Sequence, residues 1–135
     1  MSALGAEEIR ARLRHRPPAL GIERELEVDG GGGRRFLTVE RGAWHPAELL
    51  DAAAQAAGLC ARGEADPAEV SLLVVAYEGV RWPLSLRALR FTVEVRPLRA
   101  FLSMYQFAVK VREGAGVDDG ELCLEAQVTL AREGG

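Results

Sequence analysis

The segment from Pro46 to Ala61 has the length and composition of a helix that is apolar on almost every side. Proline in its first turn and Glu48 near its start are typical of a helix N-terminus. From Leu49 onward, only Asp51 and Gln55 carry polar side chains. Such a helix must be buried on all sides, because it offers no face that water solvates well. We therefore expect a sheet to surround it, with help from a second subunit.

Alternating apolar residues predict that sheet. We expect a short helix at Ala6 to Leu13, strands at Leu20 to Val28 and Arg35 to Arg41, then, after the apolar helix, strands at Val70 to Glu78, Leu84 to Val95, Phe101 to Val111 and Leu122 to Leu130. Gly30 to Gly33 indicates a hairpin between the first two strands, and Gly114 to Gly120 indicates another between the last two. This order predicts an α+β domain with a mostly antiparallel sheet wrapped around one long central helix.

Two of these strands carry further local signals. Val70 to Glu78 is almost continuously apolar, which is typical of a strand in the centre of a sheet. In the next strand the alternation slips by one residue at Ala88 and Leu89, and this slip predicts a β-bulge. Pro97 is expected to end that strand.

Length, charge and cysteine content exclude several classes of protein. The 135 residues predict a single domain over positions 1–135. A net charge of −3, with acids and bases interspersed, argues against nucleic-acid binding. No apolar stretch approaches the roughly 20 residues of a membrane-spanning helix, and no signal peptide is evident. Cys60 and Cys123 lack metal-ligand spacing, so we expect a reduced cytoplasmic protein without a metal or cofactor.

Three stretches of the chain share a pattern with a known enzyme family. They are Leu13 to Arg24, His45-Pro46 with the following Asp51 to Gly58, and Val117 to Leu122 with the following Glu125-Ala126. Their sequences and their order resemble those of the beta-hydroxyacyl-acyl-carrier-protein dehydratases. This resemblance implies the hotdog fold, in which a sheet wraps around a helix, and a homodimer. It also implies a substrate carried on acyl-carrier protein or coenzyme A.

Asp51 and Gln55 are the polar residues of the helix motif. Because they are four positions apart, they lie on the same side of the helix. A carboxylate buried among apolar residues favours its protonated form, which suits a general acid. Alternatively, Asp51 satisfies backbone donors near the helix start or pairs with an arginine. The resemblance implies that Asp51, which stands where the family has Glu, protonates the leaving hydroxyl while Gln55 orients it.

We predict His45 as the base that removes the proton alpha to the thioester carbonyl. In the family the base is the first histidine of a longer loop, whereas here the loop is shortened and His45 corresponds to its second, His-Pro histidine. From His45 to Asp51 a helix advances about 9 Å and turns about 600°, so the two side chains face different directions. They would cooperate only if the acid came from a second subunit. Alternatively, His45 caps the helix. His15 matches a family position other than the base, and we interpret it as structural.

The two tryptophans and one cysteine have competing interpretations. Trp44 and Trp82 either line a tunnel for the acyl chain or fill the core beside the small residues of the helix, and core packing is favoured. Cys60, on the apolar helix, is expected to act as a small buried hydrophobic residue.

Three functions fit these residues. The main prediction is a dehydratase that uses His45, Asp51 and Gln55, with backbone donors at the helix N-terminus stabilising the enolate-like oxygen. The second is a hotdog protein that binds acyl thioesters or a partner enzyme without catalysis. The third is an acyl thioesterase, since an acidic residue on the central helix also fits that activity.

Overall fold

A long helix packed against an antiparallel sheet forms the centre of the fold. The structure, a computed structural model, describes residues 3–13, 19–26, 33–62, 71–82, 86–115 and 120–133. Its elements are α1 (Ala6–Arg12), β1 (Ile22–Glu25), β2 (Arg34–Thr38), α2 (Pro46–Arg62), β3 (Ser71–Arg81), β4 (Phe91–Phe101), β5 (Met104–Glu113) and β6 (Leu122–Glu133). This is the order of helices and strands that the sequence predicts.

The strands form one six-stranded sheet in the order β1-β2-β4-β5-β6-β3. Every pair of neighbouring strands is antiparallel. The strands β2, β4, β5 and β6 therefore lie in the interior of the sheet, while β1 and β3 form its edges. The apolar segment that was expected in the centre of the sheet is thus β3, an edge strand of the single chain.

Side chains of β4, β5 and β6 alternate between the core and the surface. Those that face the core are Phe91, Val93 and Val95 of β4, Phe107, Val109 and Val111 of β5, and Leu124, Ala126, Val128 and Leu130 of β6. They join one apolar cluster with the buried residues of α2. Each large side chain of this kind contributes about 1.5–3 kcal/mol when it is fully buried.

The central helix, α2, is buried as the sequence predicts. Its buried residues are Leu49, Leu50, Ala52, Ala53, Ala54, Gln55, Ala56, Ala57, Gly58 and Leu59. The small side chains let other backbone approach closely. A Cβ atom at Gly21 would lie only 2.8 Å from the Cβ atom of Ala52, so glycine is required where the segment before β1 crosses the helix.

The start of β4 differs from the prediction. The strand begins at Phe91, and residues 86–90 lie outside it, so the bulge expected at Ala88 and Leu89 is wrong. The carbonyl oxygen of Leu89 instead accepts hydrogen bonds from the indole Nε1 of Trp44 at 2.9 Å and from the backbone N–H of Arg41 at 3.0 Å. These contacts hold the segment against the approach to α2 and prevent it from extending the strand.

The end of β4 also differs from the prediction. The strand does not end at Pro97 but continues to Phe101. Its pairing with β5 is irregular between Pro97 and Arg99. A proline is tolerated there because an irregularity in the ladder does not require every backbone N–H to pair.

Some predicted features lie outside the described residues. They include Gly30 to Gly32 of the first hairpin, His15, and positions 116–119 of the last hairpin. Gly114, where the last hairpin begins, has a φ of 96°, a conformation that favours glycine.

Candidate functional site

Gln55 is a buried amide that connects α2 to the segment before β1. Its Oε1 accepts the backbone N–H of Gly21 at 2.8 Å. Its Nε2 donates to the carbonyl oxygen of Ala19 at 2.9 Å and to Oδ2 of Asp51 at 3.0 Å. Both hydrogens of the amide are therefore used, and the side chain is held in one orientation.

Asp51 is exposed, not buried as expected. The four-residue spacing does bring it to Gln55, which fixes one carboxylate oxygen. Among the described residues, no arginine or backbone donor forms a hydrogen bond or ion pair with Asp51. Asp51 is thus an oriented carboxylate that is open to solvent.

The face of β3 that looks toward α2 can be assigned from its pairing with β6. Val74 pairs with Leu130, and Tyr77 pairs with Val128. Directly paired residues of antiparallel strands project to the same face, and both β6 residues are buried. Val74 and Tyr77 therefore face inward, although they remain 41% and 37% exposed. The inward face of β3 is therefore partly open to solvent in the single chain, and we call the space between it and Asp51 of α2 the Asp51 cleft.

Tyr77 lies within electrostatic range of Asp51. Partial burial and, second, the negative charge of Asp51 raise the pKa of Tyr77 above its usual value of 10.0. Within the described ranges, however, no hydrogen bond joins the two side chains. The Tyr77 hydroxyl and the Asp51 carboxylate therefore do not bond to each other, and each can form a hydrogen bond with a ligand.

Tyr77 is not among the site residues that the sequence predicts. The pairing of β3 with β6 shifts register between Val74 and Ala76. Because of this shift, Val74 and Tyr77 share a face although they are three positions apart, whereas simple alternation puts them on opposite faces. The continuous apolar run of β3 gave no signal for the position of the shift.

His45 forms a helix cap. Its Nδ1 accepts the backbone N–H of Ala47 at 3.1 Å, and Oε1 of Glu48 accepts the backbone N–H of His45 at 2.8 Å. This reciprocal pattern is that of a capping box. A neutral imidazole that accepts at Nδ1 carries its proton on Nε2. These contacts match the capping interpretation, and the role of His45 as a base stays a prediction.

The backbone donors at the start of α2 are largely engaged. Pro46 has no N–H. The N–H of Ala47 is bonded to the imidazole, and the N–H of Leu49 donates to the carbonyl oxygen of His45 at 3.1 Å. This helix start therefore offers few free donors for an oxyanion.

Arg41 joins three parts of the structure near the start of α2. Its guanidinium donates to Oε2 of Glu48 at 2.9 Å and to the carbonyl oxygen of Leu20 at 3.2 Å. It also lies 4.3 Å from the centroid of the Trp44 ring, a cation–π contact. These contacts fix the segment before β1, which Gln55 holds from the other side.

The two tryptophans have different environments. Trp44 is buried and makes an edge-to-face contact with Phe91, with ring centroids 5.8 Å apart. Core packing is confirmed for Trp44. Trp82 is 53% exposed, so the expectation that it fills the core is wrong.

A second carboxylate, Glu25, lies in a closed environment. Its side chain is 1% exposed and accepts two hydrogen bonds from Arg34, at 2.7 Å and 2.9 Å. Its Oε1 also accepts the backbone N–H of Leu4 at 3.1 Å. The hydrogen bond to Glu25 is the main cause that raises the pKa of Arg34 above its usual value. This pair anchors the N-terminal segment to the sheet.

Neither cysteine has the character of a nucleophile. Burial raises the pKa of Cys60 to about 11 and that of Cys123 to about 12. A thiol with so high a pKa is protonated at neutral pH and is a poor nucleophile. Cys60 is partly buried against the core, close to the environment expected from its sequence.

A pocket of about 290 Å³ lies near the end of α2, lined by Cys60, Ala61, Pro97, Leu98, Arg99, Ala100, Tyr105, Gln106 and Phe107. Cys60 is nine residues from Asp51, which corresponds to about 14 Å along the helix and the opposite side of it. This pocket is therefore separate from the Asp51 cleft.

The described residues include no group of three or more His, Cys, Asp or Glu side chains that could hold a metal ion. In the same part of the chain, none of the helices has the length and apolar character needed to cross a membrane.

No family model matches the sequence, and no curated protein matches it. Several solved structures are similar in fold. A mutant thioesterase from Pseudomonas aeruginosa has a TM-score of 0.71 and 16% identity, and the alignment covers 94% of this chain and 92% of that one. A thioesterase family protein from Silicibacter pomeroyi has a TM-score of 0.68 and 17% identity, with 96% and 98% covered.

A dehydratase heterocomplex from Xenorhabdus doucetiae is also similar, with a TM-score of 0.67 and 15% identity over 93% of this chain and 91% of that one. At these identities the likeness concerns the fold alone. The chain has the α+β hotdog fold, and the predicted fold class is confirmed.

Proposed function

We propose that this chain hydrolyses acyl thioesters and that Asp51 is its catalytic carboxylate. The observation that carries the proposal is an exposed acid within the buried stretch of α2 from Leu49 to Leu59, oriented by the buried amide of Gln55. The presence of thioesterases among the similar structures supports this choice.

The inner surface of β3 fits the acyl group. Val74 faces inward, and Leu72, whose partner on β6 is Arg132, lies on the same face. Apolar side chains beside a carboxylate suit a substrate with an aliphatic chain next to a polar reacting centre. The thiol portion of the substrate is coenzyme A or the pantetheine arm of an acyl-carrier protein.

The chemistry needs one general base. The Asp51 carboxylate accepts a proton from a water molecule while the water oxygen forms a bond to the thioester carbonyl carbon. The tetrahedral intermediate then expels the sulfur, and Asp51 returns the proton to the leaving thiolate. Gln55 keeps the accepting oxygen in place through this cycle. The products are a carboxylic acid and a free thiol.

Dehydration of a beta-hydroxyacyl thioester is the second candidate. The similarity to the dehydratase complex and the helix motif at Asp51 and Gln55 favour it. It requires a second residue to remove the alpha proton. For His45 to accept that proton at Nδ1, the hydrogen bond from the Ala47 N–H to Nδ1 would have to break. This requirement makes hydrolysis the better supported reaction.

Both reactions can be assayed with the same variants. We expect the wild-type protein to release free thiol from acyl-coenzyme A, and Asp51→Asn to lower kcat by about 100- to 10,000-fold, because general-base catalysis contributes on that order. The matched control is Glu40→Gln, the same change at an exposed acid outside α2, which we expect to alter kcat by less than about twofold.

Three other results would contradict the proposal in whole or in part. Unchanged hydrolysis in Asp51→Asn would exclude this carboxylate as the base. Hydration of an enoyl thioester, without hydrolysis and abolished by both Asp51→Asn and His45→Ala, would establish the dehydratase instead. Binding of acyl thioesters without turnover of either kind would favour a non-catalytic binding protein.

We further propose that the protein is a homodimer joined through β3. This edge strand exposes apolar side chains on both faces, with Leu73 46% and Val75 51% exposed in addition to Val74 and Tyr77. A strand with this composition is typical of the middle of a sheet, and pairing with a second copy would give it that position.

Leu73→Arg tests the dimer, since it puts a charge on the outer face of β3, away from the Asp51 cleft. We expect a dimer for the wild type and a monomer for the variant by sedimentation velocity. Leu102→Arg is the matched control, because Leu102 is 96% exposed at the turn between β4 and β5. A dimer that persists in Leu73→Arg, or a monomeric wild type, would contradict this interface.

A further inference from the structure

One hydrogen-bond acceptor on α2 and one donor on the inward face of β3 lie within electrostatic range of each other. Asp51 supplies the acceptor from α2, and Tyr77 supplies a phenolic hydroxyl from the inward face of β3. The two side chains interact electrostatically, but within the described residues they share no hydrogen bond.

We propose that the Tyr77 hydroxyl donates a hydrogen bond to the carbonyl oxygen of the acyl thioester whose carbonyl carbon faces Asp51. This inference rests on the proposed function, because it assigns the substrate atom that Tyr77 contacts in the same cleft.

Several hydrogen-bond donors around Asp51 are already engaged by protein groups. The two hydrogens of the Gln55 amide are used by Ala19 and by Asp51 itself. At the start of α2, the N–H groups of Ala47 and Leu49 are bonded to His45. On the β3 side of this site, the Tyr77 hydroxyl is a donor that no described protein group engages.

The role fits the direction in which charge moves during the reaction. When water adds to the thioester carbonyl carbon, the carbonyl oxygen gains negative charge, and a donor at that oxygen stabilises the transition state. The water proton moves to Asp51, the C–S bond breaks in the next step, and the phenol keeps its own proton throughout. The raised pKa of Tyr77 is consistent with this role, because the hydroxyl remains a donor across the neutral and mildly alkaline range.

Binding of two inert substrate analogues tests the contact directly. The first probe is a ketone analogue of acyl-coenzyme A, in which a methylene replaces the sulfur and the carbonyl is kept. The second probe is the thioether, which keeps the sulfur and lacks the carbonyl. We expect Tyr77→Phe to weaken binding of the ketone by about 10-fold and to leave binding of the thioether unchanged, since one hydrogen bond is lost.

The matched control is Tyr105→Phe, which removes the same hydroxyl from the wall of the separate pocket beside Cys60. It should leave binding of both probes unchanged. Equal weakening of ketone and thioether by Tyr77→Phe would mean that the ring only packs against the ligand, and this result would overturn the inference.

Kinetics separates this inference from the proposed function. We expect Tyr77→Phe to lower kcat by about 100-fold with a smaller change in KM, as for the loss of one oxyanion donor. Normal hydrolysis by Tyr77→Phe, with none by Asp51→Asn, would overturn the role of Tyr77 and leave the hydrolase intact. Selective loss of ketone binding in Tyr77→Phe, with no hydrolysis by the wild type, would support the contact and contradict the hydrolase.

Titration of the phenol tests the juxtaposition without any substrate. The chain has two tyrosines, so the difference in near-ultraviolet absorbance between wild type and Tyr77→Phe isolates Tyr77. We expect Asp51→Asn to lower the pKa of Tyr77, because it removes a neighbouring negative charge. An unchanged pKa would mean that the two groups do not face each other, and this would overturn the inference.

Discussion

The carboxylates of Glu25 and Asp51 show how differently one chain can use the same chemical group. The Glu25 side chain is 1% exposed and receives two hydrogen bonds from Arg34 and one from the backbone of Leu4. Asp51 is exposed, and Gln55 donates its one hydrogen bond from the described residues. Protein donors occupy most hydrogen-bonding positions of the Glu25 carboxylate, while most of those of Asp51 stay free.

Because of this difference, we expect Glu25 to matter for stability and Asp51 for the proposed reaction. A buried charge is tolerated only when its partners replace the water it has lost, so Glu25 depends on Arg34 and the fold depends on the pair. An exposed carboxylate has little effect on folding, but it remains accessible to a substrate. A single amide contact orients Asp51 without consuming it, which is the arrangement expected of a reactive group.

The largest loss of stability should come from Glu25→Gln. This change removes the negative charge that compensates Arg34 in a closed environment. We expect it to lower the free energy of unfolding by about 3 kcal/mol. This value is near the low end for a broken buried ion pair, because Arg34 is partly exposed. Chemical denaturation measures this loss.

Asp51→Asn is the matched control, since it makes the same change from carboxylate to amide. We expect the free energy of unfolding to change by less than about 0.5 kcal/mol, as for most surface substitutions. Equal losses of stability at the two positions would remove the distinction between them.

A smaller effect on stability, combined with one on activity, should follow from Gln55→Leu. The apolar side chain fills a similar space but leaves the buried N–H of Gly21 without its partner, at a cost of about 2 kcal/mol. It also releases Asp51, so kcat should fall although the carboxylate is still present. Denaturation and the thiol-release assay measure the two effects.

Gln127→Leu is the control for this change, because it makes the same substitution at an exposed position on β6. Its stability and kcat should both stay near those of the wild type. Full activity in Gln55→Leu would show that Asp51 needs no orientation by the amide.

The central helix shows how much of the fold could be predicted. Proline at the start and apolar residues on nearly every side are local properties, and they identified α2 to within one residue of its end. The spacing of Asp51 and Gln55 is also local, because helix geometry alone brings positions four apart together. Both predictions needed no knowledge of the other elements.

The remaining differences depend on contacts between distant parts of the chain. Leu89 leaves the strand because Trp44 and Arg41 bond to its carbonyl oxygen. Tyr77 faces inward because of a shift in the pairing of β3 with β6. None of these causes is visible in the local pattern, which explains why the site was predicted only in part.

The position of β3 at the edge of the sheet has a consequence for handling the protein. A long apolar edge strand presents backbone groups that can pair with any other extended chain, and this is a common route to aggregation. Association through β3 would therefore protect the protein from insolubility as well as complete its sheet. A neutral substitution that separated the subunits would lead to precipitation, whereas a charge at Leu73 would separate them and keep the single chains in solution.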